Sequence, residues 1–433
     1  MGSKKTANMK TALLLGAGFS YDLGMPISSE MTEVFLGMFN EANTTKLSAT
    51  MARQEPFGND RPINSKAIEE AFSLLLQYKR DKGTNYEEFL TKIQERTERH
   101  SQSDRDSYHF VFGVLYDMIH TVLSLYQAIA YEVLYPKNAQ WFSKLDNILS
   151  DQGETWVVSL NHDLFLECLA IDFGIPITYG ATNQRAFPVS NLAMHDCVAF
   201  SSIDRSTYNA GSPGFMRGQR GINLVKLHGS LTEHQYRDSE EILNPTLQGK
   251  SSSELIRDFH RIQGMGYFYQ GRLVPSGRER AITGPNGELD LMSKAILTGG
   301  RKYSGVAKTK MGEEKLAIFD GILRQVDQLT IIGYGFGDRH VNFRIQNEMA
   351  RRDELVVHVV DPQLSDLPDC LNPFDYDSRV TRARCGAAHW LDYCNTKRWN
   401  LDQMNCLKEN AALRDTIRQQ VEVAVRYGKP AWK

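Results

Sequence analysis

Five short apolar runs, each closing on a glycine or polar turn, constrain this fold more than any other feature. They are TALLLGAGFS (11–20), TWVVSLNHD (155–163), INLVKLHGS (222–230), LTIIGYGFGD (329–338) and ELVVHVVDP (354–362). Their apolar residues are continuous rather than alternating, as in strands buried on both faces of a parallel sheet. Helical patterns separate some of them. The predicted class is therefore α/β, a Rossmann-like doubly wound parallel sheet with a large helical insertion. The polar and glycine residues all fall at the C-terminal ends of the runs, the edge at which open α/β sheets bind ligands.

Two segments interrupt that core, so the organisation reads as a core of 1–30 plus 151–400, a helical insertion over 31–150, a loop-rich insertion over 239–312 and a C-terminal helix over 401–433. Within 31–150 the helical patterns are 67–81, 85–99 and a long run from Tyr108 to Leu134 that is apolar on several faces. The 239–312 segment is rich in Gly, Ser, Lys and Arg without a sustained period, which predicts loops and short helices. Residues 401–427 read as one amphipathic helix. The run Phe110, Val111, Phe112, Val114, Leu115 and Met118 is too apolar for a solvated appendage. Part of that surface is expected to pack on the core and part to form the contact surface of a homo-oligomer.

The formal charge of −2 gives no global attraction to nucleic acid or an anionic membrane, so neither is an expected partner. The six cysteines contain no C-x-x-C pair, which predicts reduced thiols and no structural zinc site. The apolar run Thr11–Leu15 is too short for a signal peptide, and no apolar stretch approaches the roughly 20 residues that span a bilayer. A cytoplasmic location is expected.

Four of the strand ends carry chemistry. Gly16-Ala17-Gly18-Phe19-Ser20, followed by Gly24-Met25-Pro26, offers a turn whose exposed N–H groups can receive a pyrophosphate. The third glycine of a dehydrogenase fingerprint is displaced and no ribose-binding acid follows, which counts against an ordinary dehydrogenase. In Ser159-Leu160-Asn161-His162-Asp163, alternation puts Asn161 and Asp163 on one face and turns His162 away. Asp163 is also a candidate cap for a helix beginning at Leu164. His228, in Lys226-Leu227-His228-Gly229-Ser230, is a candidate general base at a strand terminus. Gly333-Tyr334-Gly335-Phe336-Gly337-Asp338 is a second glycine turn, suited to ribose or adenine against backbone, with Asp338 a possible helix cap.

These four pieces, in this order, resemble the sirtuin superfamily over roughly half of the chain. GAGFS, three residues, then GMP matches in sequence and spacing; SLNHD is similar to the T-Q-N-x-D motif, KLHGS to the H-G motif, and GYGFGD to the second nucleotide-binding turn. The combination is closer still to the sirtuin-like NAD hydrolases of bacterial antiphage defence, which include the Thoeris effector and the partners of HerA-type ATPases and short Argonautes. Protein-deacylating sirtuins carry a four-cysteine zinc ribbon and a D-F-R continuation. Here there is no such ribbon, and Ile27, Ser28 and Ser29 follow the proline.

Both departures imply water, rather than acyl-lysine, as the acceptor. The resemblance implies an NAD glycohydrolase that cleaves NAD, its substrate, to nicotinamide and ADP-ribose and needs no metal. In that reading Asn161 positions water by the ribose, and His228 accepts its proton or orients the 3′-hydroxyl. Asp163 holds the nicotinamide amide; Gly16, Ala17, Gly18 and Ser20 bind the pyrophosphate; Gly333, Gly335 and Asp361 hold the adenosine end. Control by oligomerisation and a HerA-type ATPase subunit is expected. The competing readings are a non-catalytic sensor of an NAD-derived nucleotide and a zinc-free protein deacylase.

Overall fold

All five apolar runs form strands, and all five lie side by side. A computed structural model describes residues 10–53, 63–99, 101–150, 153–275, 277–296 and 312–427. Its principal sheet has seven strands in the order Val380–Ala383, Val356–Val360, Gln328–Ile332, Thr11–Leu15, Glu154–Ser159, Gly221–Lys226 and Ile177–Thr178. Every pairing in it is parallel. Strands Thr11–Leu15, Gly221–Lys226 and Gln328–Ile332 are almost wholly buried, which is why their sequences show no alternation.

Register then fixes the site. Leu15 pairs with both Ile332 and Ser159, Ser159 with Lys226, and Ile332 with Val360. The five strands therefore end level, and the polar turns after them emerge at one edge. The chain fills one side of Thr11–Leu15 first and returns to the other with Gln328–Ile332, so strand order reverses between these two. Such a switch point opens a crevice at the C-terminal edge.

The helical insertion comprises Ser28–Gly37, Glu41–Ala52, Ser65–Arg80, Tyr86–Arg99 and Gln102–Val133. The last of these is, by length and composition, long and apolar enough to cross a membrane, contrary to expectation, but 61% of its apolar window is buried inside the protein. It is the central helix of the bundle. Val111, Phe112 and Leu115 are buried, and Phe110, Val114 and Met118 pack half-buried against the core. Among the described residues of 31–150 no large hydrophobic side chain is exposed. Most of the apolar content described in the insertion is thus taken up by packing. Leu289 and Leu291 are exposed instead, on a second sheet, as are Leu192 and Met194 in the connection 189–196 and Tyr269 and Leu273 on the two-stranded hairpin Phe268–Tyr269 and Arg272–Leu273.

That second sheet corrects the reading of 239–312 as loops and short helices. It has six antiparallel strands, including His234–Tyr236, Glu241–Pro245, Glu279–Thr283 and Leu289–Lys294. The 13-residue helix Ser252–Gly264 packs on it, capped by Ser251 and Glu254. Phe187, Phe200, Leu243, Ile262, Ile282 and Met292 form its own small core. In Leu289–Lys294 the two leucines face out while Met292 and Lys294 are buried. Residues 297–311 of this segment lie outside the described residues.

The C-terminal segment is two helices, Leu401–Asn410 and Ala412–Tyr427, rather than one. Arg414 of the second reaches back to the turn after the first strand. It donates to the carbonyls of Tyr21 and Met25, pairs with Glu30 at 2.7 Å and stacks on Tyr21 with its guanidinium 3.3 Å from the ring centre.

Candidate functional site

The two glycine turns meet at the switch point, and their glycines serve that meeting. Gly16 N–H donates to the Ile332 carbonyl and Gly18 N–H to the Gly333 carbonyl, each at 2.9 Å. A Cβ on Gly16 would lie 2.5 Å from the Gly333 oxygen, and one on Gly333 would lie 2.4 Å from the Gly18 carbonyl carbon. Gly333 also has φ +63°, which a side chain disfavours. The N–H groups of Gly16 and Gly18 themselves are thus committed within the protein. Ala17 sits half-buried between them. Gly335 differs: a Cβ there would meet nothing within 4 Å, so its backbone borders open space.

The second strand end is tied to the first. Asn161 Nδ2 donates to the Gly16 carbonyl at 2.9 Å and lies 3.3 Å from Ser20 Oγ. Ser20 Oγ in turn donates to Asp163 Oδ1 at 3.0 Å. Ser20 is only 1% exposed, so its hydroxyl ties the two loops together and is not free for a phosphate. Asp163 Oδ1 also accepts at 3.0 Å from the N–H of Phe165, the first residue of the helix Phe165–Asp172, whose cap position is Leu164 rather than Asp163. Burial raises the Asp163 carboxyl above its usual range, with Lys226 pulling the other way.

With its amide nitrogen held by Gly16, Asn161 is left with a carbonyl oxygen that accepts no hydrogen bond among the described residues. The residue is half-buried. Its strand ends at Ser159, so alternation does not govern residues 161–163 and does not turn His162 away. The His162 ring centre lies 6.2 Å from that of His228.

The third and fourth strand ends are joined by a buried pair. His228 Nε2 lies 2.8 Å from Asp338 Oδ2, and the two residues are 6% and 9% exposed. Asp338 Oδ1 accepts from His340 N at 2.8 Å and Val341 N at 3.3 Å, capping the helix Arg339–Arg351. Tyr334 Oη accepts from Asp338 N at 3.0 Å and is 2.8 Å from Asn342 Oδ1, while Asn342 Nδ2 donates to the Phe336 carbonyl at 2.7 Å. The turn is thus braced from within. Asp361, at the end of its own strand, is half-buried, and its Oδ1 accepts from Gln363 N at 2.7 Å.

No protein-family model matches the sequence, and no curated protein matches it. Several solved structures resemble its fold. Sir2 homologues are among them. One, a mutant in complex with ADP-ribose, gives a TM-score of 0.35 at 9% identity over 93% of this chain and 94% of the other. Another, a Sir2 homologue–NAD complex, gives 0.35 at 11% over 96% and 90%. Sir2Tm bound to a propionylated peptide gives 0.31 at 9% over 90% and 92%.

Two residues that matter to the site's architecture carried no sequence signal as a pair. Lys226 and Glu167 form an ion pair at 2.6 Å with side chains 2% and 0% exposed. Lys226 Nζ also donates to the Asp163 carbonyl, so this pair pins the SLNHD loop from below. Neither partner stands out in a run of residues, because a buried pair shows only once the fold brings it together.

Among the described residues no group of three or more His, Cys, Asp or Glu could hold a metal ion. A chelator is expected to change neither the unfolding temperature nor any NAD cleavage, because the cysteine spacings give no four-ligand zinc site and glycosidic cleavage needs no metal Lewis acid. Metal analysis that found one zinc per chain, held for example by Cys385, Cys394 and His389, would overturn this.

Proposed function

We propose that this chain is an NAD glycohydrolase, hydrolysing NAD to nicotinamide and ADP-ribose at the C-terminal edge of its seven-stranded sheet. The observation that carries this reading is that the four motifs resembling those of sirtuins end level at one switch point, tied to each other by side chains. NAD cleavage places positive charge on the ribose as nicotinamide departs, in an oxocarbenium-like state. The enzyme must hold the leaving ring and present water to C1′.

Asn161 suits the second task. Its nitrogen is fixed on Gly16, and its free oxygen can accept a hydrogen from the attacking water. His228 receives the water's proton or orients a ribose hydroxyl. Asp163 Oδ1 is spent on Ser20 and Phe165, so Oδ2 is the oxygen left for the nicotinamide amide. Gly335 and Asp361 would border the adenosine. The pyrophosphate would lie over Ala17, between Gly16 and Gly18. Ser20 supports that turn rather than touching the ligand.

Unrestrained NAD hydrolysis would kill its host, so the activity implies control. We place the chain as an NAD-depleting effector of antiphage defence, regulated by oligomerisation and by a HerA-type ATPase partner. The test is incubation with NAD, alone and with that partner, followed by chromatography. Nicotinamide and ADP-ribose in equal amounts are expected. Their absence under every activating condition would sink the proposal, and release only in the presence of an acyl-peptide would point to a deacylase.

A further inference from the structure

We propose that Asp338 is a positioning residue for His228, setting which ring nitrogen carries the proton; this rests on the hydrolase reading above. A carboxylate can only accept, so the 2.8 Å contact places the hydrogen on Nε2 and the basic lone pair on Nδ1. The arrangement is buried on both sides, where one hydrogen bond governs tautomer strongly. The aspartate is itself immobilised. Its other oxygen caps a 13-residue helix and its backbone N–H is held by Tyr334. One side chain thus couples the GYGFGD turn, which borders the proposed adenosine site, to the histidine on the water side.

The helix cap and the histidine contact use different oxygens, so substitution can separate them. Asparagine and serine cap helices about as well as aspartate. In Asp338→Asn, Oδ1 keeps the cap and the amide Nδ2, a donor, faces His228. Nε2 must then accept, and the proton moves to Nδ1. The fixed carboxylate of a Ser-His-Asp triad shows what the wrong tautomer costs. Asp338→Ser keeps the cap but is too short to reach the ring.

The experiment compares full-length wild type, Asp338→Asn and Asp338→Ser, with the activating partner where cleavage needs it. It measures unfolding temperature, kcat and KM for NAD, and the nitrogen chemical shifts of the labelled imidazoles, with His228→Gln assigning the signal. Expected are near-wild-type unfolding temperatures for both variants and protonated Nε2 in wild type. Asp338→Asn should show protonated Nδ1 and a loss in kcat on the order of 100-fold or more, with KM nearly unchanged. An unaltered tautomer in Asp338→Asn, or wild-type kcat in both variants, would overturn the assignment. A wild-type chain that shows the Nε2 tautomer but releases no nicotinamide would sink the hydrolase reading and leave the pairing standing.

Discussion

His228→Ala and Asn161→Ala will each leave a folded chain that no longer releases nicotinamide from NAD. General acid–base groups contribute about 10² to 10⁴ in rate, and a mispositioned nucleophile costs a comparable factor. Losses of that order are expected in kcat. The stability costs are far smaller. Asn161→Ala removes its bonds to Gly16 and Ser20, worth about 1 kcal/mol each at most. His228→Ala leaves the buried Asp338 oxygen without this partner, at about 1–3 kcal/mol. Folded domains carry about 5–15 kcal/mol, so both variants should survive with lowered unfolding temperatures. Near-wild-type cleavage by either would show that its residue has been given the wrong role. Assembly and partner binding serve as the control, since neither residue lies on an exposed apolar surface.

How much of this was legible beforehand depended on whether a residue's reason was local. The strands Thr11–Leu15, Glu154–Ser159, Gly221–Lys226, Gln328–Ile332 and Val356–Val360 were legible because burial on both faces leaves a continuous apolar run. That their polar ends meet at one edge of the sheet is shown by the level register, and it was expected from the polar residues at each C-terminal end. The close approach of Gly333, which also demands glycine at 16 and 18, was not legible, since no single turn reveals its neighbour. The orientation of His162 was not legible, because it lies three residues beyond the strand's end at Ser159, where alternation no longer holds.

The second sheet escaped for a different reason. Its strands bury charged residues such as Arg280 and Lys294 and expose Leu289 and Leu291, which inverts the usual pattern. Asp338 was legible as a cap, because capping is a relation between near neighbours. Its bond to His228 spans 110 residues of sequence, and that relation exists only in three dimensions.

Glu167→Ala should be the most destabilising single change near the site, by about 3–5 kcal/mol, because it strands a buried ammonium. Lys226 and Glu167 are 2% and 0% exposed at the side chain, so water cannot replace the lost partner. Tyr179 loses an acceptor at the same time, since its hydroxyl donates to Glu167 Oε1 at 2.9 Å. The pair itself is a different matter. Replacing both charges by apolar groups of similar size is often close to neutral, because the desolvation cost disappears with the attraction. Lys226→Met with Glu167→Leu and Tyr179→Phe should therefore recover most of the stability lost by Glu167→Ala. The recovered chain should still bind and cleave NAD poorly, because Lys226 Nζ also holds the Asp163 carbonyl and so the loop bearing Asn161. Chemical unfolding gives the energies and NAD turnover gives the second readout. A triple variant that regained both stability and full activity would show that the ion pair has no part in shaping the site.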